Sequence, residues 1–316
     1  MELSIVISLF NEQESLSELV AWIHEALAGK VSDYEIIMVD DGSTDGSWST
    51  IQRMAETDKT IRGIRFRRNY GKSAALYCGF EAAAGDIVVT MDADLQDDPG
   101  EIPEMMRMIR EDGYDLVSGW KKIRHDNKLT KNLPSKLYNA TARKVTGIRL
   151  HDMNCGLKAY RKEVVKNIEV YGEMHRFIPY LAKEAGFGNI GEKVVHHRKR
   201  KYGKSKFGLN RFINGFLDLM TIWFLQVFGR KPMHLFGLMG TVTFLIGIVI
   251  TLWLIIKKLV LQSHGQVFRA VTDQPLFYLA LLAVVIGTLL FLTGFIGELI
   301  SRNSSNRNSY NIKEKI

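Results

Sequence analysis

An apolar strand pattern runs directly into a group of acids in the stretch Ile87-Val88-Val89-Thr90-Met91-Asp92-Ala93-Asp94-Leu95-Gln96-Asp97-Asp98-Pro99. Side chains two positions apart in an extended segment share a face, so Asp92 and Asp94 are predicted to lie together at the rim of a sheet. Carboxylate oxygens there suit Mg²⁺ or Mn²⁺, which usually bind together with a substrate phosphate. The stretch therefore favours an enzyme that handles a nucleotide-linked substrate through a divalent metal, although acids before a proline are also common in ordinary turns.

Strand and helix patterns alternate over the first 120 residues. The predicted strands are Ser4–Leu9, Glu35–Val39, Ile61–Phe66, Ile87–Met91 and Leu116–Ser118, and the predicted helices are Glu14–Leu27, Ser47–Ala55 and Ser73–Ala84. This alternation predicts an α/β fold with a Rossmann-like, mainly parallel sheet and helices on both faces. Ligands bind such sheets beyond the carboxyl ends of the strands. Three polar groups fall at those ends: Phe10–Glu12, Asp40–Asp41 and Asp92–Gln96.

Two uncharged stretches near the C-terminus, Leu235–Ile256 and Leu276–Phe295, are each long enough to cross a bilayer as a helix. We predict a transmembrane hairpin within 232–300, because a buried helix of a soluble protein rarely runs this long without a charge. No signal-peptide pattern precedes the first strand, so the domain formed by 1–206 is expected in the cytoplasm. The tail 301–316, rich in Ser, Asn and charge, is predicted to be disordered on the same side.

Basic residues concentrate directly before the first predicted span. Between His196 and Lys231 lie nine Lys or Arg residues and one acid, Asp218, in a chain whose net charge is +8. This position favours attraction to anionic lipid headgroups over nucleic-acid binding. Within the block, Phe207–Phe228 carries an apolar helical stripe broken by polar residues. The segment 207–231 is therefore interpreted as amphipathic and lying in the membrane interface, with a third span as the alternative.

Six motifs in a fixed order carry a resemblance to a known family. The first four are SIVISLFNEQESL (4–16), EIIMVDDGSTDGS (35–47), RRNYGKSAAL (67–76) and TMDADLQDDP (90–99). Together they resemble the nucleotide-binding half of a family 2 glycosyltransferase. HDMNCGLKAY (151–160), RKYGKSKFG (200–208) and the two apolar stretches narrow the resemblance to the polyisoprenyl-phosphate glycosyltransferases. That group includes dolichyl-phosphate mannose synthases and, more similar to this chain, bacterial bactoprenol glucosyltransferases.

The resemblance implies a GT-A type fold and a multi-pass enzyme of the inner (plasma) membrane with its catalytic domain in the cytoplasm. It implies an inverting, metal-dependent transfer of one hexose from a nucleotide diphosphate sugar, expected to be UDP-glucose, to undecaprenyl or another polyisoprenyl phosphate. Nucleic acid is not expected as a partner. The alternatives are transfer from GDP-mannose, a processive polysaccharide synthase, or a non-catalytic membrane protein that binds sugar nucleotides. Homo-oligomerisation stays open, because glycines in the predicted spans suit helix packing within or between chains.

The resemblance also assigns residues to the donor. Those expected at the metal are Asp92, Asp94 and Gln96, and those expected at the nucleotide are Phe10, Glu12, Asp40, Asp41, Arg68 and Lys72. Lys72 and Gly71 stand at the start of a helix of small residues, a position that suits the donor diphosphate. The alternatives are an Asx-turn for Asp40 or Asp41, a favourable helix N-terminal acid for Glu12, and plain surface charge for the cations.

On the acceptor side, Asp152 matches the proposed carboxylate of the family, as a general base or as a group that positions the lipid phosphate. The residues expected at the acceptor phosphate are Lys121, Arg124, Arg200, Ser205 and Lys206, with Gly203 allowing a turn between them. A generic basic membrane anchor is the alternative for the last three. Gly119-Trp120-Lys121-Lys122 stands where mannose synthases commonly carry Gly-Ser-Arg, which weakens a mannose assignment.

Overall fold

The structure, a computed structural model, describes residues 1–122, 141–143, 146–199, 201–202, 217, 220, 224, 228, 232–265 and 269–303. These residues fall into two compact units, one within Met1–Leu219 and the other within Met220–Ile312. Of the segment 207–231, only Leu217, Met220, Phe224 and Phe228 are described, so its amphipathic interpretation stays a prediction.

The described part of the first unit is built on a seven-stranded sheet. Its strands are β1 (Leu3–Leu9), β2 (Tyr34–Asp40), β3 (Ile61–Arg65), β4 (Ile87–Asp92), β5 (Leu116–Trp120), β6 (Lys158–Arg161) and β7 (Ile190–Val194), in the spatial order β3-β2-β1-β4-β6-β5-β7. β1 to β4 pair in parallel, as do β5 and β7, whereas β6 is antiparallel to both β4 and β5. The mainly parallel α/β fold predicted from the sequence is confirmed.

Helices cover both faces of this sheet. They are α1 (Gln13–Leu27), α2 (Ser47–Thr57), α3 (Lys72–Ala82), α4 (Ile102–Arg110), α5 (Lys162–Lys166) and α6 (Ile178–Glu184), with short 3-10 helices at Pro99–Glu101 and Met174–Phe177. One face packs the apolar sides of α1 and α4 against alternate residues of the central strands, forming the main core. On the other face Val6 of β1 packs against Gly79 of α3, where a larger residue would collide.

The strand register brings the candidate loops to one rim of the sheet. Leu9 at the end of β1 is paired with Asp40 at the end of β2, and Ser8 is paired with Asp92 at the end of β4. Because neighbouring parallel strands end level, the loops that follow β1, β2 and β4 meet at the same edge.

The sequence missed β6 and β7. Lys158-Ala159-Tyr160-Arg161 and Ile190-Gly191-Glu192-Lys193-Val194 are short and mixed in polarity, so neither carries an apolar run. Both are held by pairing with strands distant in sequence, which local pattern does not report. The end of α3 at Ala82 also precedes the predicted end at Ala84.

The second unit contains two long apolar helices, α7 (Pro232–Ser263) and α8 (Pro275–Asn303), joined by residues that include a 3-10 turn at Val271–Asp273. Among the described residues they are the two helices long and apolar enough to cross a membrane, and each contains one predicted span. α8 ends at Asn303, so the helix extends three residues into the tail 301–316 that the sequence predicts to be disordered. Neither proline nor glycine stands there to end the helix.

Glycines allow α7 and α8 to approach closely as an antiparallel pair. A Cβ at Gly240 would lie 2.6 Å from the backbone nitrogen of Phe291 and 2.7 Å from the carbonyl oxygen of Gly287. A Cβ at Gly247 would lie 2.6 Å from the carbonyl oxygen of Ala280. Small residues at such contacts are typical of membrane helix pairs.

Gly240→Val is expected to force α7 and α8 apart and to destabilise the protein by about 1–3 kcal/mol, the usual cost of overpacking. The measurement is the unfolding temperature of the purified full-length protein in detergent. Val242→Ile is the matched control, because Val242 lies exposed on the same helix. Equal unfolding temperatures for the two variants would contradict the close approach.

A buried carboxylate, that of Glu35, forms hydrogen bonds at the end of the sheet opposite to the candidate loops. Glu35 Oε1 accepts hydrogen bonds from Ser4 Oγ (2.7 Å) and the Ala84 backbone nitrogen (2.9 Å), and Oε2 accepts one from Arg62 (2.6 Å). Burial alone would raise the pKa of Glu35, but these three donors outweigh it and lower the pKa below its usual range.

Glu35→Gln is expected to lower the free energy of unfolding at neutral pH by about 1–3 kcal/mol. Because the folded-state pKa is lowered, the carboxylate stabilises the fold above its unfolded value of about 4.3, and this contribution disappears as the pH falls through the folded value. Denaturant unfolding followed by tryptophan fluorescence should therefore show a difference from the wild type that shrinks in acid. The exposed Glu56→Gln is the control, and a difference for Glu35→Gln that persists unchanged in acid would contradict the assignment.

Candidate active site

A cleft of about 230 Å³ opens at the rim of the sheet, beyond the end of β4 and the start of β6. The charged and polar residues on its walls include Lys72, Asp92, Asp94, Gln96, Lys121, Asp152, Lys158, His175 and Arg176. The structure thus brings the three predicted metal ligands together with Asp152 and two of the predicted phosphate-binding cations. Thr90 and Tyr160 add a polar floor, since the Thr90 hydroxyl lies 3.2 Å from the Tyr160 hydroxyl.

Asp92 is the electrostatic centre of this cleft. Its side chain, 35% exposed, forms an ion pair with Lys72 at the first turn of α3. Burial alone would raise the pKa of Asp92, but Lys72, Lys121 and Lys158 outweigh it and lower the pKa to about 2. The lowered pKa keeps the carboxylate ionised near neutral pH, which is the form that a metal ligand requires.

The loop after β4 holds Asp94 and Gln96 in a strained turn. Leu95 is buried and has a φ of 60°, in the left-handed region that side chains other than glycine rarely adopt. The Gln96 backbone nitrogen donates to Asp94 Oδ1 at 3.2 Å. Such strain costs on the order of 1–3 kcal/mol and tends to occur at functional sites. Asp94 and Gln96 thus lie in a tight turn on the cleft wall, and their role as metal ligands stays a prediction.

Asp97 and Asp98 are the acids of this stretch that serve the fold. Asp97 is fully buried and pairs with Lys121 Nζ at 2.6 Å. Asp98 Oδ1 accepts from the Gly100 backbone nitrogen at 2.8 Å and so begins the 3-10 helix. Lys121, expected at the acceptor phosphate, therefore has a carboxylate partner in this structure. Burial alone would lower the pKa of Lys121, but Asp97 is the largest of the contributions that raise it.

The aspartates after β2 hold loops in place. Asp40 is fully buried, and its Oδ1 accepts from the Ser43 backbone nitrogen at 2.9 Å, the Asx-turn considered for this pair. The Asp41 carboxylate instead accepts from the backbone nitrogens of Tyr70 (2.7 Å) and Gly71 (3.0 Å). Asp41 thus fixes the loop that leads into α3, and burial raises its pKa. In these contacts both carboxylates stabilise loop conformations, and their direct contact with a nucleotide stays a prediction.

The other predicted nucleotide residues border the same loops. Phe10 is half-buried, and Glu12 directly precedes α1, as the helix N-terminal alternative expected. The Glu12 backbone nitrogen donates to Ser47 Oγ at 3.1 Å, which ties the loop after β1 to the start of α2. The Arg68 guanidinium lies 4.5 Å from the centre of the exposed Tyr70 ring.

The motif HDMNCGLKAY forms the wall opposite Asp92. Asp152 is buried, and its Oδ1 accepts from the Asn154 backbone nitrogen at 3.2 Å. Gly156 faces the Asp92 carboxylate so closely that a Cβ there would lie 2.5 Å from Asp92 Oδ2. The glycine of this motif is therefore explained by the space that the Asp92 side chain requires.

The start of the basic block is docked on the loop after β4. The Arg198 backbone nitrogen donates to the Gln96 carbonyl oxygen at 2.9 Å, and the Gln96 side-chain amide donates to the Arg198 carbonyl oxygen at 3.3 Å. Glu101 accepts from the His196 backbone nitrogen at 3.2 Å and pairs with Lys193. The predicted acceptor residues Arg124, Arg200, Ser205 and Lys206, with Gly203, lie outside the described residues.

Sequence reasoning missed Lys158, His175 and Arg176 at the cleft. Lys158 is buried, and burial lowers its pKa. His175 and Arg176 lie in the 3-10 helix Met174–Phe177, more than eighty residues after Asp92 and Asp94 in the sequence. The run Met174-His175-Arg176-Phe177 before Ile178-Pro179 was the signal in the sequence, since two adjacent polar side chains inside an apolar segment have to be accommodated.

Comparison with known sequences places these features in context. Residues 4–169 match the family described as Glycosyl transferase family 2. Over 304 residues the chain is 33% identical to the dodecaprenyl-phosphate galacturonate synthase of Rhizobium johnstonii, with 96% of this chain and 88% of that protein covered. It is 37% identical over 301 residues to the undecaprenyl-phosphate 4-deoxy-4-formamido-L-arabinose transferase of Shewanella sediminis, covering 95% and 87%.

Solved structures share the fold. The glucosyl-3-phosphoglycerate synthase of Mycobacterium tuberculosis in complex with UDP superposes with a TM-score of 0.53 at 20% identity, covering 71% of this chain and 79% of that one. The same enzyme with Mn²⁺, UDP-glucose and glycerol 3-phosphate gives a TM-score of 0.52 at 20% identity over the same shares. At this identity the likeness shows the fold alone, and the GT-A-like prediction is confirmed.

Gly156→Ala is expected to displace the Asp92 carboxylate and to weaken Mn²⁺ binding by about tenfold or more, that is about 1.4 kcal/mol. Calorimetric titration of Mn²⁺ into the full-length protein in detergent measures this. Gly188→Ala is the matched control, because a Cβ at Gly188 meets nothing within 4 Å. If the Gly156 variant binds Mn²⁺ as the control does, Asp92 is not a metal ligand or the wall at Gly156 gives way.

Proposed function

Because this chain belongs to glycosyl transferase family 2 and is a glycosyltransferase, we propose that it uses a divalent metal to transfer one sugar from a nucleotide diphosphate sugar to a polyprenyl phosphate. One observation carries the proposal: Asp92 and Asp94 line a single cleft with Lys72, at the rim of a GT-A-like sheet. The relatives named for transfer to dodecaprenyl and undecaprenyl phosphate support the lipid acceptor, since they match the chain over nearly its whole length.

The donor set at the loop after β4 fits Mg²⁺ or Mn²⁺. Asp92 and Asp94 supply carboxylate oxygens and Gln96 an amide oxygen, all on the wall of the cleft. Among the described residues no group of three or more His, Cys, Asp or Glu forms a closed cage. A site with few protein ligands is the usual arrangement for Mg²⁺ bound together with substrate phosphates. When bound, the ion would stabilise the charge of the departing diphosphate as a Lewis acid.

The cations of the chain bind and orient the anions. Lys72, 34% exposed at the first turn of α3, lies where a diphosphate would meet both its charge and the helix N-terminus. In an inverting transfer an oxygen of the lipid phosphate bonds to the anomeric carbon while the bond from that carbon to the diphosphate oxygen breaks. The nucleoside diphosphate leaves with the electron pair.

Asp152 is proposed to orient the acceptor. A phosphate monoester has a second pKa of about 6 and is largely doubly charged near neutral pH, so it needs little help from a base. Asp152 is also buried and accepts a backbone hydrogen bond, which favours a fixed position. We therefore assign it to positioning, with weak general-base assistance as the alternative.

The prediction that the donor sugar is glucose is revised here. The named relatives transfer galacturonate and 4-deoxy-4-formamido-L-arabinose, and UDP-glucose is named for a solved structure that shares the fold alone. We propose a UDP-linked sugar, with galacturonate and 4-deoxy-4-formamido-L-arabinose placed ahead of glucose. GDP-mannose stays as the alternative nucleotide class.

The two apolar helices of the second unit support a membrane location. α7 and α8 are proposed to span the inner membrane as a hairpin, with the sheet on the cytoplasmic face. Nucleotide sugars and the headgroup of a polyprenyl phosphate would meet there.

The test is a transfer assay with the purified full-length protein, undecaprenyl phosphate, and UDP-glucose, UDP-galacturonate, UDP-4-deoxy-4-formamido-L-arabinose or GDP-mannose in Mg²⁺ or Mn²⁺. Mass spectrometry should find a lipid carrying one sugar from a UDP donor, and no longer chains. Absence of any sugar on the lipid with all four donors would refute the proposal.

Asp94→Asn is expected to lower the transfer rate by about 10²–10³-fold, because it removes one charged ligand of the metal. Asp98→Asn is the control within the same acidic stretch, since Asp98 caps the 3-10 helix at Pro99. Initial rates of lipid-linked sugar formation compare the two. Equal losses would assign the acids of the loop a structural role.

A further inference from the structure

His175 and Ser73 form an unexplained pair at the edge of the cleft. Ser73 is buried in the first turn of α3, and its Oγ accepts a hydrogen bond from the His175 backbone nitrogen at 3.1 Å. The same oxygen lies 3.1 Å from His175 Nδ1. Two contacts from one hydroxyl therefore fix both the backbone and the ring of His175.

The contacts of Ser73 Oγ with His175 fit one imidazole tautomer best, because that tautomer also uses the hydroxyl hydrogen of Ser73. Ser73 Oγ already accepts the backbone N–H, and Nδ1 is the acceptor within reach of its own hydroxyl hydrogen. With Nδ1 accepting, the ring proton of a neutral histidine stands on Nε2. Among the described residues Nε2 has no hydrogen-bond partner, and His175 lines the cleft.

The surroundings keep the ring uncharged. Burial, followed by the positive charges of Lys72 on α3 and of Arg176, lowers the pKa of His175 to about 2. Lys158 on β6 lowers the pKa further, and Asp92 on β4 opposes these effects. His175 is therefore a neutral group within a cleft whose other polar residues are mostly charged.

We propose that His175 is a specificity-determining residue that donates a hydrogen bond from Nε2 to a hydroxyl of the donor sugar, with Ser73 as the residue that positions it. This inference rests on the proposed function. An uncharged N–H matches a hydroxyl, whereas Lys72 and Arg176 on the same cleft carry the positive charge that suits a phosphate. A site that pairs a buried donor with a substrate hydroxyl discriminates strongly against sugars that lack it.

The experiment compares binding of UDP with binding of UDP-glucose, UDP-galacturonate and UDP-4-deoxy-4-formamido-L-arabinose, by calorimetry in Mn²⁺. His175→Phe should weaken the sugar nucleotide that the wild type binds best by about five- to tenfold and leave UDP affinity unchanged. His175→Gln, which keeps an N–H donor, should recover part of the loss. Tyr77→Phe, exposed on the same helix, is the control.

Nitrogen-15 spectra of histidine-labelled protein provide a second readout. The signals of His175, identified by their loss in His175→Phe, should show a bare Nδ1 and a protonated Nε2 that stay unchanged across neutral pH. Ser73→Ala should mix the two tautomers and weaken the same sugar nucleotide without changing UDP affinity.

Equal losses for UDP and sugar nucleotides, no loss for either, or a protonated Nδ1 in the wild type would each overturn the role of His175. These outcomes leave donor binding by the wild type intact. A wild-type chain that binds neither UDP nor any of the three sugar nucleotides would contradict the proposed function itself.

Discussion

The ion pair between Lys72 and Asp92 joins the two halves of the cleft. One partner stands at the first turn of α3 and the other at the end of β4, so the pair forms only because the sheet brings both elements to one rim. Charge of both signs concentrates there, and the lysines stabilise the ionised form of Asp92. The cleft thereby holds carboxylates and lysines side by side, which is the arrangement that the proposed metal and phosphate binding requires.

The loop after β4 connects this charge cluster with the basic segment that precedes the membrane helices in sequence. Gln96 lies on the cleft wall and also exchanges two hydrogen bonds with Arg198. Glu101 holds the same segment two residues earlier, at His196. A carboxylate in the acidic stretch thus either faces the cleft or anchors the chain around it. This division explains why so many acids stand in sequence without forming one metal cage.

Much of the fold could be predicted from the sequence because the pattern of apolar residues along the chain indicates the buried strands. β1, β2 and β4 are buried on both faces, so their apolar runs marked them to within one or two residues. β6 and β7 have no such run and depend on long-range pairing.

For the candidate site, the sequence motifs placed Asp92, Asp94 and Asp152 together. The sequence could not tell which neighbouring acid, Asp40 or Asp41, makes the Asx-turn, because that depends on the loop before α3. His175 escaped notice because its partner Ser73 is distant in the chain.

The central claim is that a divalent cation shared between Asp92, Asp94 and the donor diphosphate holds the nucleotide at this rim. Calorimetric titration of UDP into the full-length protein, with and without Mn²⁺, tests it most directly. Mn²⁺ is expected to tighten UDP binding by about tenfold or more, because the ion would bridge the carboxylates and the diphosphate. Equal affinity in the presence and absence of the metal would contradict it.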